Sequence, residues 1–157
     1  MSTDRPNDQD DLERFVRAQD GVHDRALAEL RAGRKTSHWM WFVFPQLRGL
    51  GRSPTAIRYG ITSMDEARAY LEHPVLGPRL RTAADAALHA DAPDVGALLG
   101  GIDAMKLRSS MTLFARAARG AHDDESTMFA AVLDRWFDGE DTATVRLLGD
   151  DMPGSST

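Results

Sequence analysis

The chain of 157 residues contains no cysteine. That excludes a disulfide framework and any zinc site built on thiolates, and it fits a reducing compartment. No run of apolar residues approaches the roughly 18 that would cross a bilayer. The first residues, MSTDRPNDQDD, lack the apolar segment of a secretory signal. The expected location is cytoplasmic, with no membrane partner. Positive charge is also in short supply: 19 Lys and Arg against 24 Asp and Glu leave a formal net charge of −5. That balance excludes bulk nucleic-acid binding but leaves room for a local basic pocket. The five histidines, His23, His38, His73, His89 and His122, fall at no metal-ligand spacing. The glycine-flanked serine elbow, the phosphate-binding loop, the paired-histidine zinc helix and the calcium-binding loop are all missing. No metal and no cofactor is therefore expected.

What is present is an ordinary globular composition, 42% apolar and 27% charged. A chain of this size buries about 70% of its unfolded surface in a single core. One domain is expected over residues 10–149, flanked by polar tails at 1–9 and 150–157 that read as disordered. A monomer or small homo-oligomer is expected. The apolar spacing is helical almost throughout. Helices are predicted over 10–19 (Leu12, Phe15, Val16) and 22–32 (Ala26, Leu27, Leu30), the second closed by Gly33. Ser53-Pro54 reads as a cap followed by proline in the first turn. Ser63 with Glu66 reads as a capping box. His73-Pro74 ends that helix, with His73 suited to its C-terminus. Further helices follow over 75–90, 103–118 (Ala104, Leu107, Met111, Phe114, Ala118), a segment through Phe129, Val132, Leu133 and Trp136, and a last one that Asp141 would cap. The fold class is mainly α, a compact multihelical domain of six to eight helices with at most a short strand near 39–44.

That one exception is HWMWFVFPQL, residues 38–47, with two tryptophans and two phenylalanines in ten positions. Pro45 would confine a strand here to an edge or an end. Lys35 precedes it; Gln46, Arg48, Arg52 and Ser53 follow it, among the glycines Gly49 and Gly51. Basic groups beside glycines suit an anion, because backbone N–H groups can approach it closely. Trp39 or Trp41 could stack on a ring, with Arg48 and Arg52 on a phosphate. The segment is otherwise a buried aromatic core with a solvated basic rim. The helix DAMKLRSSMTLF, residues 103–114, is the second candidate. Lys106 shares a face with Ser109 and Ser110 at three- and four-residue spacing, and paired serines are poor mid-helix residues. Gln19 falls in line with Leu12 and Phe15 on an apolar face. Such a buried amide either reads polar atoms of a ligand or bonds a backbone carbonyl.

The stretches RFVRAQ (14–19), ALAELRAGRKTSHWMWFVFPQLRGLGRS (26–53), EARAYLEHPVLGPRL (66–80) and DAMKLRSSMTLF (103–114) resemble the bacterial family known as domain of unknown function 1810. That family is sometimes labelled "calpastatin", a name nothing in these residues supports. The resemblance spans about 11–148 and implies a mainly helical single domain with no established activity. The helical arrangement is also similar to the NADAR-type N-glycosidases, which act on ADP-ribose-like or riboflavin-pathway ribosides. Those proteins place a glutamate on an early helix; Gln19 stands nearest here, and an amide cannot act as a carboxylate.

Three functions follow as expectations. The first is binding of a small anionic nucleotide- or ADP-ribose-like ligand between the 38–53 segment and the 103–114 helix. The second is hydrolysis of an N-glycosidic bond in such a ligand, with Asp103 as the carboxylate, Lys106 as charge stabiliser and His38 as proton donor. The third is protein docking through the aromatic segment.

Overall fold

The computed structural model describes residues 8–151, with side chains over 12–149. Expectations about the tails at 1–7 and 152–157 lie outside the described residues. The first helix, α1 (Asp8–Gln19), buries Leu12, Phe15 and Gln19 on one stripe and stops at Gly21, whose φ of 74° is left-handed. Then α2 (His23–Arg31) buries Ala26, Leu27 and Leu30. It ends before Gly33 (φ 82°), where a Cβ would run into the carbonyl oxygen of Asp91, so only glycine fits there.

The 39–44 segment is no strand. Met40–Val43 closes one helical turn, α3, with Met40 and Val43 buried. A short apolar run buried on several sides carries no periodicity to separate strand from helix. The extended pairing comes just after it. Arg48 N–H donates to Ile61 O at 2.7 Å and Ile61 N–H to Gln46 O at 2.9 Å, an isolated parallel bridge between Leu47 and Ile61. Within the loop it closes, α4 (Pro54–Arg58) starts where Ser53 Oγ accepts from Ala56 N–H at 3.1 Å.

Next, α5 (Met64–Glu72) is capped by Ser63 Oγ, which accepts from Glu66 N–H at 3.1 Å. The Glu66 carboxylate reaches back one residue beyond the usual capping box, taking Thr62 N–H at 2.8 Å. His73 serves the opposite end from the one its sequence position suggests. Its Nδ1 accepts from Val75 and Leu76 N–H, at 3.1 and 3.2 Å, and so caps the start of α6 (Leu76–Leu88). The remaining helices are α7 (Val95–Leu99), α8 (Gly101–Ala118), α9 (Asp123–Trp136) and α10 (Thr142–Asp151). The count among the described residues is ten. It exceeds the expected range because single turns such as α3 stand as separate elements, while the mainly helical class holds.

The centre of the fold is α8, which packs against α3, α5, α7, α9 and α10. A helix covered on so many sides buries more than its apolar stripe: Ser109, Ser110 and Thr112 are buried with Leu107, Met111 and Phe114. Phe15, Tyr70, Phe114 and Phe129 form a chain of ring contacts at centroid separations of 5.3, 5.2 and 6.3 Å, tying α1, α5, α8 and α9 together. No helix among the described residues is long and apolar enough to cross a membrane.

Candidate functional site

Two tryptophans two residues apart meet opposite fates. Trp39 is fully buried, and its Nε1–H donates to Glu29 Oε1 at 2.9 Å. Glu29 also accepts from Thr36 N–H (2.8 Å), Ser37 N–H (3.1 Å) and Ser37 Oγ–H (2.6 Å). Burial works to raise the pKa of this carboxyl. The bonds from Ser37, Thr36 and Trp39 outweigh it and pull the pKa from 4.5 down to about 2. One carboxylate on α2 thus fixes the turn that leads into the aromatic segment. Trp39 is a core residue with no exposed ring face.

Trp41 is half-buried and lines an open cleft of about 460 Å³. The apolar lining comes from Trp41, Leu50, Ile102 and Met105; the polar lining from Gln46, Arg52, Ser53, Lys106, Ser109 and Asp141. The loop between α3 and α4 supplies one wall, the first turns of α8 the other, and the start of α10 closes one end. Lys106 Nζ sits 4.3 Å from the centroid of the Trp41 ring, a cation–π contact. The same ammonium donates to Asp103 Oδ1 at 3.3 Å. On its other oxygen Asp103 meets Lys35 Nζ at 2.8 Å. Lys35 is itself anchored by its backbone N–H on Leu98 O at 2.7 Å. Ser109 Oγ–H donates to Met105 O at 3.1 Å. Asp141 Oδ2 accepts from the Thr144 N–H (2.9 Å) and hydroxyl (2.7 Å), capping α10.

Six of the residues singled out from sequence therefore share one wall system: Trp41, Gln46, Arg52, Ser53, Lys106 and Ser109. Lys35 and Asp103 stand behind it as supports of Lys106. His38 and Arg48 are exposed and outside the cleft lining. Ser110 is fully buried, and its hydroxyl has no hydrogen-bond partner. Gln19 takes the second of its two expected roles. Its Nε2 donates to Phe42 O at 2.7 Å and to the Tyr70 hydroxyl at 3.0 Å, and its Oε1 accepts from Arg79 at 3.3 Å. It is a core clamp joining four elements. Burial there pushes the Tyr70 hydroxyl well above its ordinary pKa.

Leu50, Ile102, Met105 and Asp141 were not singled out. Ile102 and Met105 are 75% and 68% exposed at the cleft rim, off the buried stripe of α8. Apolar residues off the stripe are the signal that marks them. Asp141 was legible only as a cap. No group of His, Asp or Glu that could hold a metal occurs among the described residues.

A second cleft of about 460 Å³ lies where α5 meets the last turns of α8 and α10, beside Arg68, Arg116 and Arg119. There Arg116 is already taken by Glu140 through two bonds of 2.7 and 2.8 Å. Cations in a last helical turn also answer the negative end of the helix.

A helical domain with one aromatic-walled, basic-edged cleft beside its central helix is the class of molecule these features define. The chain belongs to the family described as protein of unknown function (DUF1810), whose model matches residues 9–148. It is similar to the conserved hypothetical protein Rv1873 from Mycobacterium tuberculosis, known from a crystal structure. The two are 52% identical over 88% of this chain and 96% of that one, with a TM-score of 0.82. No curated protein matches the chain.

Proposed function

We propose that this protein binds a small anionic molecule carrying a planar ring, of nucleotide type, in the cleft between the α3–α4 loop and α8. The observation that carries this reading is the Trp41 indole, half-buried on the wall, with Lys106 held at its ring by Asp103 and Arg52 on the same lining. Trp41, Leu50, Ile102 and Met105 offer the apolar surface a ring needs; Arg52 and Lys106 offer charge and donors. Catalysis on an N-glycosidic bond finds less support. Asp103 is clamped between two ammonium groups behind the wall, and His38 is not part of the lining.

The test is a thermal-shift screen against nucleotides, ADP-ribose, NAD and riboflavin precursors. A ligand at 100 times its Kd stabilises the folded state by about 2.7 kcal/mol, which raises Tm by several degrees for a domain of this size. The expected result is a shift in the wild type that Trp41→Ala and Arg52→Ala both remove. No shift with any compound refutes the reading. A second reading, docking of a protein partner on this rim, is favoured by the exposed Ile102 and Met105. Pull-down of the same partner by wild type and by an Ile102→Ser, Met105→Ser double variant would refute it.

A further inference from the structure

We infer that the cleft selects for a single negative charge, and so takes a phosphodiester- or carboxylate-type ligand rather than a polyphosphate. This rests on the ligand-binding reading above and narrows its substrate class. The charges on and directly behind the wall are three cations, Arg52, Lys106 and Lys35, against two carboxylates, Asp103 and Asp141. The two lysines share Asp103, at 2.8 and 3.3 Å, so one of their two charges is neutralised inside the protein. Lys106 is held further by the Trp41 ring. Arg52 is the one cation of the lining that makes neither an ion pair nor a side-chain hydrogen bond among the described residues.

Asp141 stands on the same lining with its Oδ2 committed to Thr144. Its charge opposes any second anionic group entering the cleft, because like charges close together repel. It also offers an acceptor to a hydroxyl or amine on the ligand. A phosphate monoester carries about −1.5 to −2 at neutral pH, and a diphosphate carries more. Arg52, the two lysines and Asp103 sum to +2, and Asp141 on the lining cuts this to +1, so either exceeds the net positive charge of the cleft.

The experiment is a charge ladder on one base: adenosine, 3′,5′-cyclic AMP, AMP and ADP, titrated calorimetrically at pH 7.5 and constant ionic strength. The expected result is tightest binding of cyclic AMP, by about tenfold over its neighbours on the ladder, equivalent to about 1.4 kcal/mol. Asp141→Asn keeps a good capping residue and removes one negative charge, so it should move the optimum to AMP. Affinity that climbs through AMP to ADP overturns the charge selection while leaving the ligand-binding reading intact. Equal binding of adenosine and cyclic AMP overturns it as well, as does an Asp141→Asn optimum that stays at cyclic AMP. If no member of the ladder binds, the charge selection falls, and the ligand-binding reading falls with it only if the thermal-shift screen is blank as well.

Discussion

Trp39 and Trp41 are the same residue type in the same short segment, yet one belongs to the core and the other to the surface of a cleft. The difference lies in their partners. The Trp39 indole N–H finds Glu29, a carboxylate that also ties down Thr36 and Ser37. The Trp41 ring meets the Lys106 ammonium at 4.3 Å and borders an open cleft. A single helical turn, α3, turns the two side chains into these different surroundings. One tryptophan pins the segment; the other uses the position so fixed.

That contrast can be broken from either side. The largest effect is expected at the pinned end: Trp39→Ala should cost about 3–5 kcal/mol of stability, read as a lower chemical-denaturation midpoint with unchanged slope. Glu29→Gln should come next, at about 2 kcal/mol, because it weakens several charge-assisted bonds at once. Its pH dependence follows from a carboxyl depressed from 4.5 to about 2. The stabilisation is fully present above pH 4.5, shrinks as pH falls from 4.5 toward 2, and is absent below. The stability gap between wild type and Glu29→Gln should therefore narrow across that window; a gap constant from pH 6 to pH 3 would contradict the role given to Glu29. Ser53→Ala should cost about 1 kcal/mol through the lost cap of α4, measured by thermal unfolding. The smallest stability effect, within about 0.5 kcal/mol, is expected from Arg52→Ala, which should nonetheless weaken ligand binding. A destabilisation by Arg52→Ala as large as that of Trp39→Ala would erase the distinction between anchor and cleft wall.

Much of this was legible in the sequence. The stripe of α8 and the caps Ser53, Ser63 and Asp141 follow local rules in which a side chain meets its own neighbours in the chain. The loop residues Gln46, Arg52 and Ser53 reach the cleft together with Trp41 because they are close in sequence. What local rules could not supply was the choice between the tryptophans, since Glu29 lies on a different helix. Nor could they place Asp141 on the same lining as Arg52, which depends on α10 folding back against α8. Gln19 and His38 are not part of the cleft lining. The amide is consumed by Phe42, Tyr70 and Arg79, and the imidazole is turned to solvent.

The bridge between Leu47 and Ile61 fixes where one cleft wall stands. Its two backbone bonds hold the ends of one excursion of the chain side by side, the geometry of a closed surface loop. Residues 49–57 within it include Leu50, Gly51, Arg52 and Ser53, a large part of one cleft wall. The anchors at its base, Arg14 on Arg58 O and Gly60 O and Tyr59 against Phe15, lie outside that stretch. Both ends of the stretch are thus tied to the helical frame, and the position of this cleft wall depends on two backbone bonds rather than on the loop's own packing.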